Sequence, residues 1–141
     1  MRNTIRWLVL GTFLFYSLNV TGFKIKDFIL AESCLKDEPI DMVFWVPYLV
    51  SVIVFWFWPG TGQWFILGFM SLDTLVLFMS TVKHMIWPNE KKIKGYNRFF
   101  SKTHHIIKPS DTKLIPDTFH LILLLLLPIN LTGILVYIFR Y

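Results

Sequence analysis

The chain has 141 residues, of which 55% are hydrophobic and 16% charged, and its formal net charge is +5. An ordinary globular chain has roughly 25% charged residues, so this composition, with a mean hydropathy of +0.55, argues against a soluble domain and indicates a membrane protein. The basic excess does not indicate a nucleic-acid partner, because basic and aromatic residues do not alternate as a single-strand binding surface requires.

Four apolar runs dominate the sequence, at residues 7–23, 42–58, 63–85 and 119–139. Each is long enough to cross the hydrocarbon core as a helix, which takes about 17 to 25 residues. We therefore predict an all-α, polytopic membrane protein, a bundle of about four transmembrane helices in one integral membrane domain. The six tryptophans lie near the ends of these runs, where an indole ring suits the headgroup boundary: Trp7, Trp45, Trp56, Trp58, Trp64 and Trp87.

The first run resembles a secretory signal, since Arg2 and Arg6 precede an apolar stretch. No small-residue cleavage pattern closes it, and charged residues follow Gly22 instead. We expect this run to be retained as the first span.

The second and third runs are separated by Pro59-Gly60-Thr61-Gly62. Proline fixes φ and glycine adopts positive φ without strain, so this sequence predicts a tight reversal. The two runs are expected to form a helical hairpin.

The distribution of basic residues predicts the orientation. With four crossings, the 24–41 and 86–116 loops share one side, and that side, counted with Lys83 at the end of the third run, holds eleven Lys and Arg against three on the other. The positive-inside rule then places both loops in the cytoplasm. Arg2 and Arg6 oppose this orientation, and the alternative of three spans, with residues 42–85 crossing only once, stays open.

The basic loop at residues 86–116 mixes lysines with apolar residues. We predict that it contacts lipid headgroups, with its apolar side chains dipping inward. A loop that is simply solvated is the alternative. The cations expected to reach anionic headgroups are Lys91, Lys92, Lys94 and Arg98.

Asp73 lies near the middle of the third run, in the stretch FMSLDTLVLFM. A charge at that depth costs roughly 2.5 to 3.5 kcal/mol on insertion scales, so the carboxylate is expected to face another helix or a wet cavity. At helical spacing Ser80 falls close to the Asp73 face and Thr74 lies beside it, so this helix has a polar side.

Asn130 is the corresponding polar residue of the fourth run, just after Pro128, which removes one backbone hydrogen bond and creates a kink. We predict that Asp73, Asn130, Thr74 and Ser80 make polar contacts within the membrane and join the third helix to the fourth. Proton or ion handling by Asp73 is the alternative.

The sequence contains no recognisable catalytic pattern: it lacks a nucleophile near a base, a glycine-rich phosphate loop and paired carboxylates. Its four histidines lack the spacing of a metal site, and the single Cys34 cannot form a CxxC motif. We predict a protein that is not an enzyme and that binds neither a metal nor a cofactor.

Three segments resemble one known family. They are the final FHLILLLLLPINLTGILVYIFRY, the RFF that precedes it, and the aromatic FWFWPGTGQW at the end of the second run. They are similar to the inner-membrane immunity proteins that protect bacteria from pore-forming colicins, although the run at 63–85 is an addition to the family's three spans. The resemblance implies a bacterial inner-membrane location and helix contacts with the toxin's hydrophobic hairpin.

These observations predict a small non-enzymatic membrane protein that contacts the lipid bilayer and a second membrane protein. An accessory subunit of a transporter or respiratory complex, with Asp73 coupling protons or ions, is the alternative function.

Overall fold

The computed structural model describes residues 2–35 and 40–140, and the side chains of all of these except residues 2, 40 and 41. The described chain is mostly helical and also contains a small antiparallel hairpin. Its helices are α1 (Arg2–Thr21), α2 (Ile40–Phe57), α3 (Pro59–Ile86), α4 (Glu90–Phe99) and α5 (Thr118–Arg140), and its strands are β1 (Phe23–Ile25) and β2 (Phe28–Ala31).

The four long helices pack side by side in a ring. Helix α1 lies against α2, α2 against α3, α3 against α5, and α5 against α1. The rings of Trp7 and Trp56 meet at 5.2 Å and those of Phe55 and Tyr137 at 5.3 Å, so the start of α1 and the ends of α2 and α5 lie at the same end. The interior is apolar and aromatic, with Val9, Tyr48, Phe55, Ile66, Met70, Leu127 and Ile134 buried.

The corner between α2 and α3 is tighter than predicted. Helix α3 begins at Pro59, whose fixed φ suits the first helical position, so the residues predicted as a turn belong to the helix. The amides of Thr61 and Gly62 both donate to the carbonyl of Trp58, at 3.2 and 2.7 Å. Gly62 is required by packing, because a Cβ at this position would overlap the backbone of Phe55.

Helix α3 contains one π-helical turn, at Phe78–Val82. The amide of Lys83 donates to the carbonyl of Phe78, five residues back, so this turn holds one more residue than an α-helical turn. The buried face of α3 includes Phe69, Met70 and Asp73 before the π turn and continues at Thr81 within it. The inserted residue therefore moves the inward position from 80 to 81.

The hairpin and the long basic segment form one ordered structure, which we call the cap (residues 22–35 and 87–117). The amide of His104 donates to the carbonyl of Ile29 at 2.7 Å, and the amide of Thr118 donates to the carbonyl of His104 at 2.9 Å. The described parts of the two loops predicted at residues 24–41 and 86–116 thus lie at the same end of the helices, and residues 36–39 lie outside the described residues. Neither the hairpin nor α4 was predicted from the sequence.

Length and composition distinguish two of these helices. Among the described residues, Pro59–Ile86 and Thr118–Arg140 are long and apolar enough to cross a membrane, and the apolar part of α2, Met42–Phe57, is shorter. The helical character of all four predicted runs is confirmed. That all four cross a bilayer stays a prediction.

Candidate functional site

Tyr48 of α2 lies at the centre of a buried aromatic cluster. Its ring stacks on Phe69 of α3 at 4.4 Å and meets the rings of Phe13 and Tyr16 of α1 edge-on at 5.1 and 5.6 Å. The side chain is fully buried, and its hydroxyl has no hydrogen-bond partner among the described residues. Within the described residues, an unsatisfied hydroxyl therefore lies at the junction of three helices.

Asp73 lies one turn beyond Phe69 on the inward face of α3 and is 7% exposed. Asp73 shares the buried face of α3 with Phe69, whose ring stacks on Tyr48. The carboxylate therefore faces the interior of the bundle, as the cost of exposing it to an apolar environment requires. Three titratable side chains, Tyr16 of α1, Tyr48 of α2 and Asp73 of α3, are thus buried in the interior.

Asn130 joins α5 to α1. Its side-chain nitrogen donates to the hydroxyl of Thr12 at 2.7 Å and to the carbonyl of Leu126 at 2.8 Å, and the residue is fully buried. Asn130 was predicted to join the last helix to the third, whereas its interhelical hydrogen bond joins it to the first. Thr12 carries no sequence signal beyond being a polar residue in an apolar run.

Thr74 and Ser80 differ in their exposure. Thr74 is partly buried, and its hydroxyl oxygen has no hydrogen-bond partner within the described chain. Ser80 is exposed and bonds within its own helix, to the carbonyl of Leu77 and to the hydroxyl of Thr81. The expected inward position of Ser80 is wrong, because the π turn places Thr81 there instead.

Where α5 enters the cap, Asp117 organises a second polar cluster. Its carboxylate accepts hydrogen bonds from the backbone amide of His120 at 3.0 Å, which caps the helix, and from Tyr96 of α4 at 3.5 Å. The carboxylate also lies 2.6 Å from Nδ1 of His120, and the amide of Asp117 donates to the Tyr96 hydroxyl at 3.1 Å. Helix α4 is therefore attached directly to the start of α5.

The charge states of this cluster follow from its burial. Burial acts to raise the pKa of the Asp117 carboxyl. Hydrogen bonds from His120 and the charge of the His120 ring outweigh burial and hold that pKa below its usual value. Burial, and then the nearby charge of Asp117, raise the pKa of the Tyr96 phenol well above its ordinary value. The pair thus consists of an ionised carboxylate and a neutral phenol.

Helix α4 presents its cations outward. Ile93 is fully buried on its inner side, and the side-chain amide of Asn97 donates to the carbonyl of Ser110 at 2.9 Å. All four cations predicted to contact headgroups, Lys91, Lys92, Lys94 and Arg98, are exposed.

In the described chain no group of three or more His, Cys, Asp and Glu is placed to hold a metal ion. Tyr48, Tyr16 and Thr12 were missed by the sequence reasoning, although hydroxyl-bearing residues within apolar runs are a usable signal for interhelical hydrogen bonds. Comparison of the chain with protein-family models, with curated proteins and with solved structures finds no match.

Proposed function

We propose that this chain is an integral membrane protein whose four long helices cross a bilayer, and that it acts by helix contacts with another membrane protein. The observation that carries this proposal is the apolar surface of the long helices. Only 33% of the apolar window of α3 and 28% of that of α5 is buried, whereas the core helix of a soluble protein is mostly buried. Large side chains such as Leu75, Leu125 and Phe139 lie outward, 58%, 64% and 84% exposed, and an apolar surface of this extent requires lipid or protein cover.

The arrangement of the helix ends supports four crossings and not three. Because α2 packs against α3 along its length, residues 42–85 pass through the bundle twice. Both long loops then lie at the cap end, where the positive-inside rule places the cytoplasm. Exposed tryptophans flank both ends, with Trp7, Trp58 and Trp64 at one and Trp87 at the other.

Cysteine accessibility tests this topology. In a Cys34→Ala background, Thr61→Cys should react with an impermeant thiol reagent from the outside of intact cells, whereas Lys24→Cys and Lys94→Cys should react only after the membrane is opened. All three native positions are exposed, so poor reactivity through burial is not expected. Labelling of position 61 from the same side as position 94 would contradict four spans.

We further propose that the partner is the hydrophobic hairpin of a pore-forming bacteriocin in a bacterial inner membrane, and that the chain confers immunity to it. The resemblance of the last run supports this proposal, as does a bundle whose outer surface consists of apolar side chains. Recognition within lipid requires close packing and a few interhelical hydrogen bonds, each worth on the order of 0.6 kcal/mol. No catalytic group is required for such a mechanism.

A killing assay tests the immunity proposal. Cells that express the chain are exposed to a panel of pore-forming bacteriocins, and survival is compared with that of cells carrying an empty vector. We expect the chain to protect cells against one toxin. This protection should be lost in Asp73→Leu and kept in the exposed control Ser71→Leu. If every pore-forming toxin in the panel kills these cells as efficiently as cells carrying the empty vector, the immunity proposal is overturned, whereas the proposed membrane topology is not affected.

A second function, proton coupling within a larger membrane complex, is favoured by the burial of the titratable side chain of Asp73 on the inward face of α3. Asp73→Asn separates the two functions, because asparagine keeps the size and the hydrogen bonding of the side chain but cannot titrate. A variant that retains full protection excludes proton coupling as its mechanism. A variant that loses activity as completely as Asp73→Leu supports it.

A further inference from the structure

We propose that the outer face of α4 is a binding surface for anionic phospholipid headgroups at the cap end of the bundle. The proposal rests on the membrane insertion proposed above and adds a specific lipid chemistry to it. Four exposed cations and one acid, Glu90, lie on this ten-residue helix. Fixed positive charge at a membrane surface attracts anionic lipid by about 1 kcal/mol per Lys or Arg.

The position of α4 brings these charges to the headgroup level. Helix α3 is the long apolar helix that ends at Ile86, and α4 begins at Glu90, so only residues 87–89 separate them. Three residues span at most about 11 Å, so α4 must begin within about that distance of the end of α3. Trp87 is 65% exposed, as suits a residue at that boundary.

The attachment of α4 makes this a fixed surface and not a mobile tail. Ile93 on its inner side is fully buried, Tyr96 is hydrogen-bonded to Asp117, and Asn97 is hydrogen-bonded to Ser110. The cations are therefore held in place before lipid arrives, which reduces the entropy lost on binding.

The nearby acids leave most of this positive charge available. Glu90 lies 4.0 Å from Lys94, with side-chain exposures of 87% and 73%, and such exposed pairs are weak and screened by salt. Glu32 and Arg98 line the same shallow cleft. Exposed apolar side chains lie at the end of α4 and in the segment after it, among them Phe99, Ile106 and Ile107, and these side chains suit the apolar side of the headgroup layer.

A single fluorophore on α4 tests the proposal. Gly95 is exposed, and an added Cβ there meets nothing within 4 Å, so Gly95→Cys in a Cys34→Ala background accepts an environment-sensitive label. The labelled full chain is reconstituted into nanodiscs of phosphatidylcholine alone or of phosphatidylcholine mixed with phosphatidylglycerol. Blue-shifted emission is expected only where phosphatidylglycerol is present, and high salt should reverse it.

Two matched variants identify the cations responsible. Replacing Lys91, Lys92, Lys94 and Arg98 by Gln should abolish the shift, since removing each cation lowers the preference for phosphatidylglycerol by roughly fivefold. Replacing the same number of exposed cations elsewhere in the cap, Lys24, Lys102, Lys108 and Lys113, should leave most of it. Identical emission in both lipids, or equal loss in the two variants, overturns the proposal, and failure to enter nanodiscs at all overturns membrane insertion instead.

Discussion

The side-chain nitrogen of Asn130 lies 2.7 Å from the hydroxyl of Thr12 and so connects the last long helix to the first. The two residues are 118 positions apart, and both are buried. This hydrogen bond closes the ring of helices, and because it lies within the apolar interior it selects one rotational setting of α5 against α1.

Removing this bond should weaken the bundle modestly. Thr12→Val keeps the side-chain shape and removes the acceptor, and Asn130→Leu removes the donor. We expect a coupling energy of about 0.6 kcal/mol between the two substitutions, the average found for interhelical bonds in membrane bundles. A double-mutant cycle of unfolding free energies in mixed detergent micelles measures it, and strictly additive effects would show that the bond contributes nothing.

Gly62→Ala should disrupt the corner between α2 and α3. The new methyl group would overlap the backbone of Phe55, which cannot move aside as a flexible side chain could. We expect a loss of at least about 1 to 3 kcal/mol of stability, as for overpacked cores, seen as a lower thermal midpoint in detergent.

Gly68→Ala is the control for this substitution. Gly68 lies in the same helix, and nothing stands within 4 Å of its added Cβ. Because alanine favours helix over glycine by about 1 kcal/mol, this variant should be as stable as the native chain or more stable. Equal destabilisation by the two variants would contradict the close approach at Gly62.

The π turn predicts opposite outcomes at two adjacent residues. Thr81→Leu places a larger side chain in a buried position and should destabilise the fold by about 1 to 3 kcal/mol. Ser80→Leu adds an apolar group on the exposed face and should be tolerated in a membrane-mimetic micelle. Thermal unfolding of the two variants distinguishes the observed register from an uninterrupted α-helix, which predicts the reverse order.

The cap should lose stability at acid pH through Asp117. The pKa of its carboxyl is lower in the folded protein than its usual 3.8, so the ionised form stabilises the fold. This stabilisation is fully present at pH values above the usual pKa, and it is lost as the pH falls through the pKa of the folded protein. Thermal midpoints measured from neutral pH into the acidic range should therefore decline. Asp117→Asn, which keeps a capping oxygen, should flatten this decline, whereas the exposed control Asp111→Asn should not.

Asp117→Ala tests the capping role separately. It removes the acceptor for the His120 amide as well as the charge, and such losses cost about 1 kcal/mol. Its thermal midpoint at neutral pH should lie below that of Asp117→Asn, and identical midpoints would show that capping contributes little.

Apolar length was sufficient to predict the four long helices, because a run of that length has few other stable conformations in a membrane. Residue-level contacts were harder to predict. The buried position of Asp73 follows from the cost of exposing a carboxylate to lipid, but the inward position of Thr81 depends on a π turn, which hydrophobic periodicity does not encode. Asn130 was recognised as a contact residue, whereas its bond to Thr12 depends on which helices become neighbours.

The cap shows the same limit. Lys24 and its neighbours were taken as loop because the hairpin strands are only three and four residues long, too short for an alternating pattern to be recognised. Helix α4 has a cationic face that was recognised, but its attachment through Tyr96 to Asp117 depends on a contact spanning 21 residues.

The bond from the His104 amide to the Ile29 carbonyl has a consequence for biosynthesis. Strand β2 leaves the ribosome early, yet the backbone that completes its outer edge is made some 75 residues later, which at about 5 to 20 residues per second is several seconds of translation. The edge of β2 therefore stays incomplete while α2, α3 and α4 are being synthesised. A translational pause or a truncation before residue 104 would leave that edge open to pairing with other chains.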